Sequence, residues 1–414
     1  MKLGLAAIDS VCERLGHPEA AAPSVLVAGT TGKGSVAAML SAIAESGGVR
    51  AGLYTSPHLA RAGERIRIEE ADVSDGELDS FLAPVFHAAD ARPEVSLTYF
   101  EALTAAAFLA FAEQNLDLAV LEIGLGGRYD ATNIAPARLS IVTTIGLDHV
   151  EELGPTVEAI AREKAGVFRA GRPALIGACP DEARLALTRV ARETGALLHD
   201  AADEISLGDV TTSLEGTRFR LTTPLNLYQL ATPLPGAHQA ANAALATRAA
   251  ELLSGELHGF EERAIARGLA STRWPGRLEK LRVRGRTVIL DGCHNPQGAE
   301  ALARFLRDAN LAGRARLVFG AMADKDVEQM SAILFPSVAT VHLVTAASQR
   351  AATAEDLLRR TAHARSGSIA APDFGSALAE LLRDPDPAPI IVAGSLYLVG
   401  EARERLLSGR FEDE

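Results

Sequence analysis

The segment GTTGKGS (29–35) follows an apolar run and precedes a helical pattern, and its residue types suit phosphate. Gly29, Gly32 and Gly34 permit a tight turn with close backbone approach, while Thr30 and Thr31 add hydroxyls. The first amides of the following helix point back into that turn, and Lys33 adds a cation for an anion bound there. The strict G-x-x-x-x-G-K-[ST] pattern is not met. Val27 stands where its first glycine belongs, and Gly34 separates Lys33 from the Ser35 hydroxyl, a candidate Mg2+ contact. The competing reading is a strand–helix turn with incidental glycines.

Other polar groups also end apolar runs. Glu122 closes LDLAVLEIG (116–124), where a carboxylate beside a phosphate loop would ligate Mg2+ or else meet solvent or a cation. The Gly-rich GLGGRYDATN after it must turn tightly, and Arg128, Asp130 and Asn133 could line a polar site. Asp148 and His149 end LSIVTTIG and its polar tail, with a metal or phosphate role set against a structural hydrogen bond. Lys164, in REKAG, reads as a solvated helix face. TSPHL (55–59) places Ser56 for a metal, and ERIRI supplies Arg65 and Arg67, although a polar loop and an edge strand account for both. Asp291, His294 and Asn295 cluster in LDGCHNP, and Arg277 lies in WPGRLE.

These residues need strands to carry them. Continuous apolar runs at 24–29, 51–56, 116–124, 139–146 and 172–178 predict strands buried on both faces, with helices between most of them. That alternation implies a parallel sheet with right-handed crossovers. Residues 203–233 alternate and are rich in Thr and Leu, as antiparallel strands should be. The stretch 271–281, holding the only Trp with a Pro and a Gly, reads as a junction. Beyond it, runs at 287–296, 316–322, 340–347 and 389–398 restart the α/β pattern. The expected architecture is α/β: an N-terminal P-loop-type parallel-sheet domain (1–273), a linker (274–280) and a smaller Rossmann-like C-terminal domain (281–414). Ligands are expected at the carboxyl ends of the strands and in the cleft between domains.

Bulk properties narrow the function. A chain of 414 residues, 48% hydrophobic, exceeds one ordinary core and is not disordered. Its formal net charge of -12 disfavours nucleic acid and anionic membranes as general partners. Cys12, Cys179 and Cys293 lie far apart, without zinc spacing, which points to a reducing cytosol. The N-terminal MKLGLAAIDSVCERLG mixes charges with apolar residues and predicts an amphipathic helix rather than a signal peptide. ALTAAAFLAFA (102–112) is shorter than the about 20 residues a membrane span needs and predicts a buried helix.

The motifs taken in order resemble the folylpolyglutamate synthase/dihydrofolate synthase family, a branch of the Mur ligases. GTTGKGS, YTSPHL with ERI, TYFEA, EIGLGGRYDATN, TTIGLDH, EKAGV, GAHQAAN, WPGRLE, LDGCHNP, DKD and GSLYLVGE run in the family's order from residue 29 to 401. The resemblance implies an ATP-dependent amide ligase. ATP phosphorylates a substrate carboxylate, and the amine of L-glutamate displaces phosphate from the resulting acyl phosphate. The acceptor is dihydropteroate or a reduced folate. It further implies that residues 29–35 cradle the phosphates with Lys33 on the outer ones. Ser56, Glu122 and His149 hold Mg2+, of which two ions are expected. Lys164 is carbamylated, Asn242 and Arg277 contact the nucleotide, and Asp291 and His294 act from the second domain. A cytoplasmic monomer is expected. Thr31 stands where the family usually has Asn, and Cys293 where Ala is common. A peptidoglycan Mur-type ligase is the alternative enzyme, disfavoured by TYFEA, WPGRLE and the lack of a separate UDP-sugar domain. A non-ligating ATP-dependent switch is the alternative from another class.

Overall fold

The computed structural model describes residues 4–409, so residues 1–3 of the expected N-terminal helix lie outside the described residues. The chain divides into two compact units. One comprises 1–209, 219–231 and 240–272, and the other 210–218, 232–239 and 273–414.

The first unit is built on an eight-stranded sheet in the order β4-β3-β2-β5-β1-β6-β7-β8. Its strands are β1 (Ser24–Ala28), β2 (Ala51–Tyr54), β3 (Ile66–Ile68), β4 (Ala71–Asp72), β5 (Leu118–Glu122), β6 (Ala137–Val142), β7 (Pro173–Ile176) and β8 (Leu197–Asp200). Strands β2, β5, β1, β6, β7 and β8 pair in parallel; β2 with β3 and β3 with β4 pair antiparallel. Every residue of β1, β2 and β5 is buried, as continuous apolar runs in a covered parallel sheet require. The expected strands at 24–29, 51–56, 116–124, 139–146 and 172–178 all form, and each ends before its apolar run does. β8 was not foreseen, since HD closes a run too short to read as apolar.

The helix Tyr99–Glu113 covers 102–112, and most of that stretch is buried, including Leu103, Phe108 and Phe111. It opens on a capping box in which Thr98 and Glu101 serve each other's backbone amides. The helix Ala6–Arg14 buries Ile8, Val11 and Cys12 on one face. Among the described residues no helix is long and apolar enough to cross a membrane.

Residues 203–233 form the expected antiparallel sheet from β9 (Ser206–Ser213), β10 (Gly216–Thr222) and β11 (Leu227–Thr232). The second unit carries a six-stranded sheet, β12-β13-β17-β14-β15-β16, from β12 (Glu279–Val283), β13 (Arg286–Asp291), β14 (Arg316–Phe319), β15 (Thr340–Leu343), β16 (Ile369–Ala370) and β17 (Ile390–Ala393). All pairs are parallel except β12 with β13. Its core gathers Ile289, Leu302, Phe305, Phe319, Phe335 and Ile391. The stretch read as linker runs into β12 at Glu279.

Candidate active site

In the first unit, β1 lies between β5 and β6, and β2 pairs with the other edge of β5. Because these strands are parallel, the loops after β1, β2, β5 and β6 open on one edge of the sheet. That edge receives Gly29 to Gly32, Ser56, Glu122, Thr143 and Thr144.

The helix Lys33–Ser46 starts directly after the loop, and its N-cap Gly32 sits at φ 83°. A side chain there would be strained, and a Cβ would stand 2.5 Å from Asn242 Oδ1. Gly29 is at φ 144°, and a Cβ would meet Thr143 Oγ1 at 2.0 Å. No side chain caps this helix, so its first amides and positive end face the turn. Asn242, carried by the helix Ala237–Leu253, thereby stands against the loop that the resemblance pairs it with.

The loop is tied to β6 by groups to which the sequence reading assigned no role. Thr143 Oγ1 donates to Thr31 O at 2.6 Å, Thr31 N donates to Thr144 Oγ1 at 3.0 Å, and the Thr31 and Thr144 hydroxyls lie 3.0 Å apart. Thr30 N donates to Thr144 O at 2.8 Å, and Gly146 N donates to Thr30 Oγ1 at 3.1 Å. Thr31, the departure from the family pattern, is therefore part of the loop's anchorage. The signal was the Thr-Thr pair ending an apolar strand. Ser35 lies in the first turn of the helix and is buried.

Glu122 ends β5 at 6% exposure, and Ser56 N donates to its Oε2 at 3.1 Å. Two residues expected to hold a metal are thus adjacent. The third, His149, has φ 49° and heads the short helix Val150–Leu153, with Asp148 Oδ1 at 3.8 Å and Glu152 Oε2 at 4.0 Å. Among the described residues no three His, Cys, Asp or Glu side chains form a metal-holding group by themselves. A serine hydroxyl and a single carboxylate, completed by water and phosphate oxygens, fit the hard oxygen preference of Mg2+.

Lys164 is not a surface residue. It is 4% exposed, and its ammonium donates to Gly29 O at 2.9 Å. Burial, reinforced by the nearby Lys33 cation and opposed by Asp148 and Asp130, pulls its pKa down to about 7. The solvated-face reading fails because it treated the helix Val157–Lys164 alone. Its last turn packs on the loop after β5, where Arg128 N donates to Glu163 O at 3.0 Å.

Asp130 and Asn133 hold that loop together. Asp130 accepts from Leu125 N at 2.9 Å, Thr132 N at 3.0 Å and Thr132 Oγ1 at 2.6 Å. Asn133 Nδ2 donates to Arg128 O and Gly166 O, and Arg169 donates to Asn133 Oδ1 at 2.8 Å. Arg65 is likewise engaged, its Nε donating to His58 Nδ1 at 3.0 Å with the guanidinium 5.4 Å over the Tyr99 ring.

In the second unit the loops after β13, β14, β15 and β17 share a carboxyl edge. Asp291 is 8% exposed; its carboxylate accepts from Leu278 N and from Cys293 N, each at 3.1 Å. Burial raises its pKa, against the pull of the Arg277 cation. His294 Nδ1 lies 2.9 Å from Gly292 O, and Asn295 caps the helix Pro296–Asp308 through Gly298 N. Cys293 is buried, with its thiol pushed well above the usual range by burial beside Asp291. The DKD turn (324–326) follows β14.

Residues 27–250 match the Mur ligase middle domain, and residues 276–396 match the Mur ligase glutamate ligase domain. The chain is 34% identical over 412 residues to the dihydrofolate synthase/folylpolyglutamate synthase of Bacillus subtilis, covering 98% of this chain and 95% of that one. It belongs to the dihydrofolate synthase/folylpolyglutamate synthase family of Mur ligases. Mycobacterium tuberculosis folylpolyglutamate synthase complexed with ADP superposes at a TM-score of 0.89, with 32% identity, 97% of this chain covered and 94% of that chain. A bifunctional folylpolyglutamate synthase/dihydrofolate synthase with Mn, AMPPNP and L-glutamate bound gives a TM-score of 0.85, with 33% identity and 98% and 95% covered. As a Mur ligase of this family the chain is an ATP-dependent ligase.

Proposed function

We propose that this enzyme joins L-glutamate to dihydropteroate, to reduced folates, or to both, through an acyl phosphate. The observation that carries the reading is the phosphate loop built against Lys164, in a chain matched along nearly its whole length to enzymes of that name. Residues 1–273 take the nucleotide, 281–414 serve glutamate ligation, and 274–280 link them.

The loop amides of residues 29–35 and Lys33 hold and neutralise the phosphates of ATP, so that the terminal phosphoryl group lines up with the acceptor carboxylate. Ser56, Glu122 and His149 hold Mg2+, which supplies charge neutralisation across the phosphates, and two such ions are expected. Asn242 and Arg277 contact the nucleotide, with Asp291 and His294 acting from the second unit. Lys164 is carbamylated, which exchanges a buried ammonium for a carboxylate-like anion; its lowered pKa leaves a sizeable share of the amine neutral and nucleophilic toward CO2 near pH 7. The neutral amine of glutamate then attacks the acyl carbon: the amide C–N bond forms, the acyl C–O bond to phosphate breaks with its electron pair going to the departing phosphate, and the proton lost from the amine passes to that phosphate or to water. We place the enzyme in the cytosol as a monomer, in keeping with three free cysteines. The deciding experiment follows ADP formation with glutamate plus dihydropteroate or tetrahydrofolate. Activity with one acceptor restricts the reading to that reaction, and activity with neither removes it.

A further inference from the structure

We infer that Arg403 and Glu279 form a positioning pair that holds Arg277 for the nucleotide; this rests on the nucleotide role proposed for Arg277. Arg277 lies on the turn between Trp274 and β12. That turn has two residues with positive φ, Gly276 at 71° and Leu278 at 51°. Leu278 is 2% exposed, so a costly backbone conformation is locked by a buried side chain. One backbone bond and two carboxylates hold the turn: Gly292 N donates to Gly276 O at 2.7 Å, Leu278 N to Asp291 Oδ2 at 3.1 Å, and Gly276 N to Glu279 Oε2 at 3.0 Å. The last depends on where the Glu279 carboxylate sits. Arg403 fixes it, with Nε 3.0 Å from both carboxylate oxygens in a partly buried ion pair.

Arg403 belongs to the helix Leu396–Ser408, which begins just beyond β17. The same helix sends Leu396 against Gly292, where an added Cβ would meet Leu396 Cδ2 at 2.3 Å and Arg277 Nη1 at 2.9 Å. One helix therefore reaches the Arg277 turn through Glu279 and places Leu396 at Gly292, the glycine that Arg277 Nη1 also approaches. A flexible arginine held in one place loses less freedom when it meets a phosphate, so the pair acts on nucleotide affinity and not on glutamate. Neither residue needs to touch the ligand.

The test uses the full chain, steady-state kinetics and the quenching of Trp274, the chain's single tryptophan, at the start of the turn. Arg403→Met is expected to raise KM for ATP about tenfold and leave KM for glutamate within about twofold. Arg403→Lys, which keeps a charge without the guanidinium's fixed N–H, falls between. Glu279→Gln keeps an acceptor for Gly276 N and tests the charge with less risk to folding. Arg277→Ala raises KM for ATP by itself, and adding Arg403→Met to it has no further effect. Multiplying effects, or an unchanged KM for ATP in Arg403→Met, would overturn the pair's role. An unchanged KM in Arg277→Ala would instead remove Arg277 from the nucleotide site. In that event acrylamide quenching of Trp274 still decides the clamp: it should rise in Arg403→Met, and equal quenching would overturn the clamp.

Discussion

Lys164 carries its amine into the wall of the phosphate loop, where water is excluded and Lys33 is close. A pKa brought down to about 7 makes the amine mostly neutral above that pH and mostly protonated below it. Carbamylation needs the neutral amine, so ADP formation should fall as pH drops below about 7, and added bicarbonate should restore part of it. Lys164→Arg, charged at every accessible pH, should be inactive with or without bicarbonate. A pH profile at two bicarbonate concentrations checks this. Glu122→Ala should lower turnover by more than about 100-fold while the melting temperature stays close to wild type, because it removes a carboxylate from the proposed Mg2+ site. Near-normal turnover would take Glu122 out of the site. Glu122 was legible as a candidate because a carboxylate closing an apolar strand needs a partner. Lys164 was legible only through the family resemblance, since its burial arises from a contact with Gly29, far away in the chain.

At the scale of elements, the phosphate loop is a glycine turn held by its neighbours. Gly32→Ala would put a methyl group on Asn242 at a backbone angle that L side chains avoid. We expect a cost of about 1–3 kcal/mol in the nucleotide-binding conformation, and so a loss of ATP affinity of about five- to 150-fold by calorimetry. Unchanged affinity would mean that the loop does not carry the phosphates. The strand–loop–helix order was readable from the apolar run, the glycines and Lys33. The grip of Thr143 and Thr144 was not, because it depends on β6 lying beside β1, a pairing that local sequence does not specify. Asp130 and Asn133 were readable as polar residues that could line a site, but not in their structural part: they bond the loop's own backbone, Thr132 Oγ1, Gly166 O and Arg169.

Across the whole molecule, two α/β units each bring strand-end polar residues to a carboxyl edge: Ser56 and Glu122 in one, Asp291 and His294 in the other. The restart of the α/β pattern after residue 281 made the second sheet legible. The grouping of residues 210–218 and 232–239 with the second unit was not, because a chain that passes out of a unit and returns leaves no compositional break. A nucleotide switch needs the first unit's phosphate loop but has no use for an amino-acid acceptor, whereas a ligase must couple the two. The most direct measurement is the rate of ADP release with ATP and Mg2+, with and without L-glutamate, in the presence of dihydropteroate or tetrahydrofolate. Ligation requires that ADP release depend on glutamate and on a pterin acceptor together, with one amide formed per ADP. ADP release indifferent to glutamate and to both acceptors would contradict it.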